Sequence, residues 1–128
     1  MATNPLAPAS LVFSRNTRSG FSGFHWDGGN RAECCKHGLT AADIEYVLSH
    51  GAAVIRPDAA HSEGETRFLA IGRTRAGRYA FVVFTPRTAE GTTLLRPISA
   101  RYMHLKEVRR YEQEIARTAE RRGGGGAA

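Results

Sequence analysis

The sequence predicts an α+β fold: an antiparallel sheet of about four strands, two short helices ahead of it and a longer helix at the C-terminal end. Three observations carry that prediction. Apolar residues recur at helical spacing in Ile44, Val47 and Leu48, and again in Leu105, Val108, Tyr111 and Ile115. Between these helices lie β-rich runs separated by short glycine-containing turns. Helices gathered at the two ends of a strand meander mark α+β, since a parallel α/β sheet would alternate the two.

The elements follow in order. Residues 1–22 read as a disordered tail: MATNPLAPAS holds two prolines, and the stretch to Gly23 carries Arg15 and Arg18 with no acid. No apolar core follows a charged start, so the secretory-signal pattern is absent; a transit peptide or an over-extended start shares this composition. Phe24-His25-Trp26 is a short first strand. Asp27 or Asn30 caps a helix ending near His37, with Gly38 beyond its end. Thr40-x-x-Asp43 forms a capping box for the second helix, which runs to Gly51. Ala53–Ile55 is a strand stopped by Pro57, and residues 66–73 are the next. Thr74–Gly77 is a turn before Arg78–Thr85, the most strongly β segment. Arg87–Gly91 is a second turn, and in the strand Thr92–Ser99 the proline at Pro97 argues for an edge or a bulge. The last helix spans about Met103 to Arg122. One domain over residues 23–122 is expected, followed by a flexible Gly/Ala tail at 123–128.

Composition narrows the function. Of 128 residues, 18 are Lys or Arg and 12 Asp or Glu, a net charge of +6. Lys36 and Lys106 are the only lysines, so the remaining positive charge is arginine, whose planar fork matches phosphate oxygens. A phosphate-bearing partner is one reading; an arginine-biased solvated surface is the other. No run nears the roughly 18 apolar residues of a membrane span, so no membrane partner is expected. Adjacent Cys34 and Cys35 build no disulfide framework and point to a reducing compartment. With His37 they come close to a zinc cluster, but no second group of ligands completes it, and no metal or other cofactor is expected. Phosphate-loop, dinucleotide and nucleophile-elbow motifs are absent. Cys34 or Cys35 near His37 has the makings of a nucleophile, although a short amphipathic helix more often buries such a cysteine as a small hydrophobe.

Strand parity sorts the arginines. Arg67 and Arg73 share a face with Leu69 and Ile71, and Arg96 shares one with Leu94 and Ile98. Such positions lie at the rim of a concave surface, or else form rim ion pairs. Arg101 precedes the last helix. Among the histidines, His37 adjoins Lys36 at a helix end, where a helix-dipole role and an active-site role are equally open. His61 lies in a loop, and His104 opens the last helix close to Arg101. His104 is the preferred titratable candidate, because cutting a phosphate needs both a cationic hold and a group that exchanges protons near neutral pH.

Several segments occur together in one order: Trp26-Asp27, Lys36-His37-Gly38, His61-Ser62 with Glu65-x-Arg67-Phe68, Gly72-Arg73, Val82-Val83-Phe84-Thr85, Ile98-Ser99-Ala100-Arg101, and Glu107 with Tyr111-Glu112. In this arrangement the chain resembles the BrnT-type toxins of bacterial type II toxin–antitoxin pairs, from about Phe24 to Glu112. The resemblance implies a RelE-like fold and a cytoplasmic ribonuclease that cuts RNA without metal. It also implies silencing by a cognate BrnA-type antitoxin, with operator DNA bound only through the antitoxin complex. Matched motifs make Arg67, Arg101, Glu107 and Tyr111 catalytic candidates, with Lys36 and His37, and beside them Arg73 and Arg96, on the RNA. In that scheme Arg67 and Arg101 hold the phosphate, His104 or Glu107 is the base, and Tyr111 or His37 protonates the leaving group or stacks on a base. Two other functions remain compatible with the same fold: a nucleic-acid-binding regulator that does not cut, and a scaffold that only holds a partner.

Overall fold

The computed structural model describes residues 21–58 and 65–127; residues 1–20 of the expected tail and the His61-Ser62 pair lie outside the described residues. The chain runs β1 (Gly23–Phe24), α1 (Gly28–Cys35), α2 (Ala41–Tyr46), a π-helical turn (Val47–Gly51), β2 (Ala52–Pro57), β3 (Phe68–Arg73), β4 (Tyr79–Ala89), β5 (Thr92–Tyr102) and α3 (Leu105–Ala127). The α+β expectation holds, with one correction to the sheet. It has five strands in the order β1-β5-β4-β3-β2 and is mixed, because β1 pairs in parallel with Leu94 and Leu95 of β5. The sequence reads Phe24-His25-Trp26 as a short first strand, where β1 is Gly23–Phe24, but its parallel pairing with a segment some seventy positions away leaves no local signature, so it is not counted into the expected antiparallel sheet of about four strands.

Local chemistry explains the helices. Asp27 accepts from the Asn30 N–H at 3.0 Å, and Asn30 Oδ1 accepts from the Asp27 N–H at 2.7 Å, closing a reciprocal cap on α1. The buried Asn30 amide also donates to the carbonyls of His25 (3.0 Å) and Pro97 (2.8 Å), so it fastens α1 to β1 and β5. Gly38, at φ 100°, turns the chain after α1 in a conformation L side chains avoid. Thr40 and Asp43 cap α2 in the same reciprocal way. Its last turn widens to π geometry, with Val47 and Leu48 both fully buried.

Strands β2, β4 and β5 are longer than expected, whereas β3 starts only at Phe68 and β1 is shorter. β4 continues through Pro86 to Ala89, so the turn expected over Arg87–Gly91 shrinks to Glu90-Gly91, both at positive φ, the twist that suits a two-residue hairpin. Pro57 ends β2 on the sheet edge, where a missing N–H costs nothing. Pro97 sits at a bulge: Val83 faces Ser99 and Phe84 faces Pro97, leaving Ile98 as the extra residue. α3 runs on through Gly123–Gly126 to Ala127, where a flexible tail was expected. Extending a helix nucleated upstream fixes one residue per added bond, although each glycine costs about 1 kcal/mol relative to alanine. Ser22, assigned to the N-terminal tail by sequence, already donates its N–H to Thr93 at 2.7 Å.

The two sheet faces differ. On one, Phe68, Ala70, Ala80, Val82, Phe84, Leu95 and Ala100 pack against Cys34, Leu39, Ile44, Val47 and Leu48 of the N-terminal helices, forming the main core. On the other, a smaller cluster of Ile71, Met103 and Tyr111, with Val54, Leu69, Tyr79, Phe81 and Val108 around it, is where α3 crosses. That second face is only partly covered.

Candidate functional site

Pairing of the strands builds the uncovered face row by row. Arg56 of β2 stands opposite Leu69, Leu69 opposite Val83, and Val83 opposite Ser99. The next row is Val54, Ile71, Phe81 and Arg101. The α3 cluster takes the Ile71 end of this surface. What remains is a cleft of about 580 Å³, floored by Leu69, Phe81, Val83 and Ile98 and walled by charge. Arg56 and Arg67 stand on the β2–β3 side. Arg101 and Ser99 stand on the β5 side, joined by Glu33, Lys36 and His37 from the end of α1. These last three reach the cleft because β1 spans only Leu94–Leu95, so α1 lies beside the rest of β5. The bulge at Ile98 puts Ile98 and Ser99 on the same cleft, which strict alternation forbids.

Four cations, Lys36, Arg56, Arg67 and Arg101, meet two acids, Glu33 and Asp58, in this space. The Lys36–Glu33 pair at 2.6 Å is half exposed on both sides, so water screens it and Lys36 keeps most of its charge for a ligand. Arg101 is firmly held. Its guanidinium donates to both carboxylate oxygens of Glu107, at 2.9 and 2.8 Å, and to the Tyr102 carbonyl at 3.2 Å. It also lies over the Phe81 ring, 4.6 Å from the centroid. Three of five N–H donors are used this way, which fixes the plane and leaves two for a ligand. Glu107, in the first turn of α3, also accepts the His104 N–H at 2.8 Å. Chiefly through Arg101, and then through that N–H, its pKa falls to about 2. Arg101 is correspondingly raised by Glu107.

The cleft thus brings together Lys36, His37, Arg67 and Arg101, and Glu107 through Arg101. Four other candidates lie elsewhere. His104 is exposed at the head of α3 and does not line the cleft. Tyr111 is only 6% exposed, edge-on to Tyr79 with ring centroids 5.3 Å apart, and burial raises its pKa. Tyr111 does not line the cleft, although the sequence placed it on a leaving group or a base. Arg73 is exposed and occupied with Tyr79, whose hydroxyl accepts from it at 3.0 Å. Arg96 is held by Asp27 at 3.0 Å and by His25 Nδ1 at 2.8 Å, at the head of α1.

Cys34 is buried in the core and its thiol is pushed up to about 12, by burial first and by Cys35 and Glu33 next, which fits a packing role and not a nucleophile. Among the described residues no group of three or more His, Cys, Asp or Glu is placed to hold a metal ion, and no helix is long and apolar enough to cross a membrane. Sequence reasoning missed Arg56, Asp58 and Glu33. Arg56 was detectable in principle, since antiparallel pairing of β2 with β3 puts it beside Leu69, but the register depends on the bulge between Ala52 and Val54.

Fold and cleft together define a small basic α+β domain with a cation-rich cleft on its open sheet face. The family described as ribonuclease toxin, BrnT, of type II toxin–antitoxin system matches residues 26–107, more than half of the chain and all the cleft-lining residues. The chain belongs to this BrnT ribonuclease toxin family, which implies an RNA target and an antitoxin partner. A search of the curated proteins finds no match to it.

Proposed function

We propose that this cleft holds an RNA phosphodiester and cuts it without a metal ion, and that a BrnA-type antitoxin silences the protein by covering it. The observation that carries the reading is Arg101, fixed in plane by Glu107 on the wall of a cleft with three other cations. The ribose 2′-oxygen attacks the adjacent phosphorus, the P–O5′ bond breaks, and the products end in a 2′,3′-cyclic phosphate and a 5′-hydroxyl. One group takes the proton from the 2′-hydroxyl, another returns one to the 5′-oxygen, and cations stabilise the extra charge on the phosphorane. Arg101 and Arg67 hold the phosphate, with Lys36 beside them. His37, which lines the cleft, handles protons. His104, beside the Arg101–Glu107 pair, is the alternative for that role. Glu107 positions Arg101: a carboxylate with a pKa of about 2 has little basicity to offer at neutral pH.

A non-cleaving nucleic-acid binder of the same fold is favoured by a different observation, that Tyr111 is buried and Glu107 committed, leaving His37 as the one imidazole on the cleft among the described residues. Expression separates the two. Growth arrest that a co-expressed BrnA-type partner relieves, and that Arg101→Ala abolishes, supports the toxin acting on RNA in the cytoplasm. Unaffected growth with tight, salt-sensitive nucleic-acid binding supports the binder. Operator DNA is expected to be engaged only by the complex with the antitoxin.

A further inference from the structure

The middle of the open face is apolar where a surface that served phosphate alone would be polar. Leu69, Val83 and Ile98 are half-buried there, where Arg101 lies over the Phe81 ring; Leu69 adjoins the α3 cluster, while Val83 and Ile98 lie outside it. Arg56 is exposed on the far side, on edge strand β2, in the same row as Leu69, Val83 and Ser99. From β2 to β5 is three strand steps of about 4.8 Å, or about 14 Å. That is wider than the gap between neighbouring phosphates of one strand, with an apolar floor between cationic walls. A nucleic-acid strand presents the complementary pattern, charge on the backbone and an apolar face on each base.

We infer that the Leu69–Val83–Ile98 floor is a seat for one unstacked RNA base, and that Arg56 holds a backbone phosphate of the same strand beyond the one that neighbours the phosphate at Arg101. The inference rests on the RNA-binding reading above and adds a subsite and a residue to it. Only an unpaired strand can turn a base onto this floor; in an A-form duplex the faces are stacked and the edges lie in grooves. The flat guanidinium of Arg101, backed by the Phe81 ring, borders the seat with the kind of plane on which bases stack. The substrate is therefore an unpaired segment, and Arg56 acts by binding it and not by chemistry.

The test uses the intact protein and a short 2′-O-methyl RNA, which lacks the attacking hydroxyl, so binding is read without cutting. Single strand, duplex with its complement, and single strands carrying one abasic position are compared across a salt series. The single strand is expected to bind about tenfold or more tightly than the duplex, and one abasic position to lose about tenfold. Arg56→Ala is expected to weaken binding several-fold and to reduce the salt slope by about one, while Arg87→Ala, at an exposed site outside the cleft, leaves both unchanged. Equal affinity for duplex and single strand, tolerance of abasic sites at every position, or an Arg56→Ala protein that behaves like Arg87→Ala overturns the inference. Cleavage is scored separately on unmodified RNA: intact RNA with the binding preference preserved sinks the nuclease reading alone, and equal cutting of paired and unpaired RNA sinks the subsite alone.

Discussion

At the residue scale, Glu107 and Tyr111 are placed together by the sequence and separated by the structure. Glu107 is ionised and spent on Arg101. Its folded pKa lies below the ordinary 4.5, so its contribution to stability is complete above 4.5 and fades as the pH falls toward about 2. The melting temperature of the wild type should therefore drop across that window relative to Glu107→Gln, which has no such proton to take up; parallel curves would mean the pair contributes nothing to folding. In cleavage kinetics, Glu107→Gln should lower kcat more than it raises KM, because Arg101 remains but loses its fixed plane. Tyr111 makes the opposite prediction. Its hydroxyl is buried with no hydrogen-bond partner among the described residues, so Tyr111→Phe removes an unsatisfied polar atom. The variant should keep its cleavage rate and melt no lower than wild type, with a gain of up to about 1 kcal/mol. A large loss of activity with unchanged melting would return Tyr111 to the catalytic machinery.

At the element scale, what the sequence shows and what it hides divide along local and non-local chemistry. The α2 cap was legible because Thr40 and Asp43 satisfy each other within one turn, and the core stripe Ile44, Val47, Leu48 because it needs only helical spacing. Arg67 and Arg101 were found by parity and by motif. Arg56 was not, since its place in the cleft follows from register across three strands and from two bulges. Burial of Tyr111 was equally hidden: the apolar stripe of α3 is visible in the sequence, but not that Tyr79 would meet it. The seam between α1 and the sheet shows the same division. Asn30 reads as a helix cap, yet its amide also bridges the carbonyls of His25 and Pro97. Asn30→Ala takes the amide away from the carbonyls of His25 and Pro97 and from the Asp27 N–H, while the Asn30 N–H keeps its bond to Asp27, and should cost about 2–3 kcal/mol by denaturant unfolding. A loss under 0.5 kcal/mol would show that this clamp is dispensable.

For the whole molecule, a chain with a net charge of +6 gathers Lys36, Arg56, Arg67 and Arg101 along one cleft of the sheet face, with Glu33 and Asp58 among them, while Arg96, Arg73 and Arg87 contact neighbouring side chains elsewhere. Partners of that face should be acidic. The antitoxin is expected to bring an acidic or amphipathic segment, and its association rate should fall steeply between low and physiological salt. A rate independent of ionic strength would place the antitoxin on another surface. The claim that joins fold, cleft and family is that the Arg101 cleft cuts RNA by its own side chains. It is tested most directly by incubating naked RNA in EDTA with the purified protein and with Arg101→Ala. The wild type should cleave and leave 2′,3′-cyclic phosphate ends, and the variant should be slower by about 10²–10³-fold. Cleavage that needs an added divalent ion, or that survives unchanged in Arg101→Ala, would contradict it.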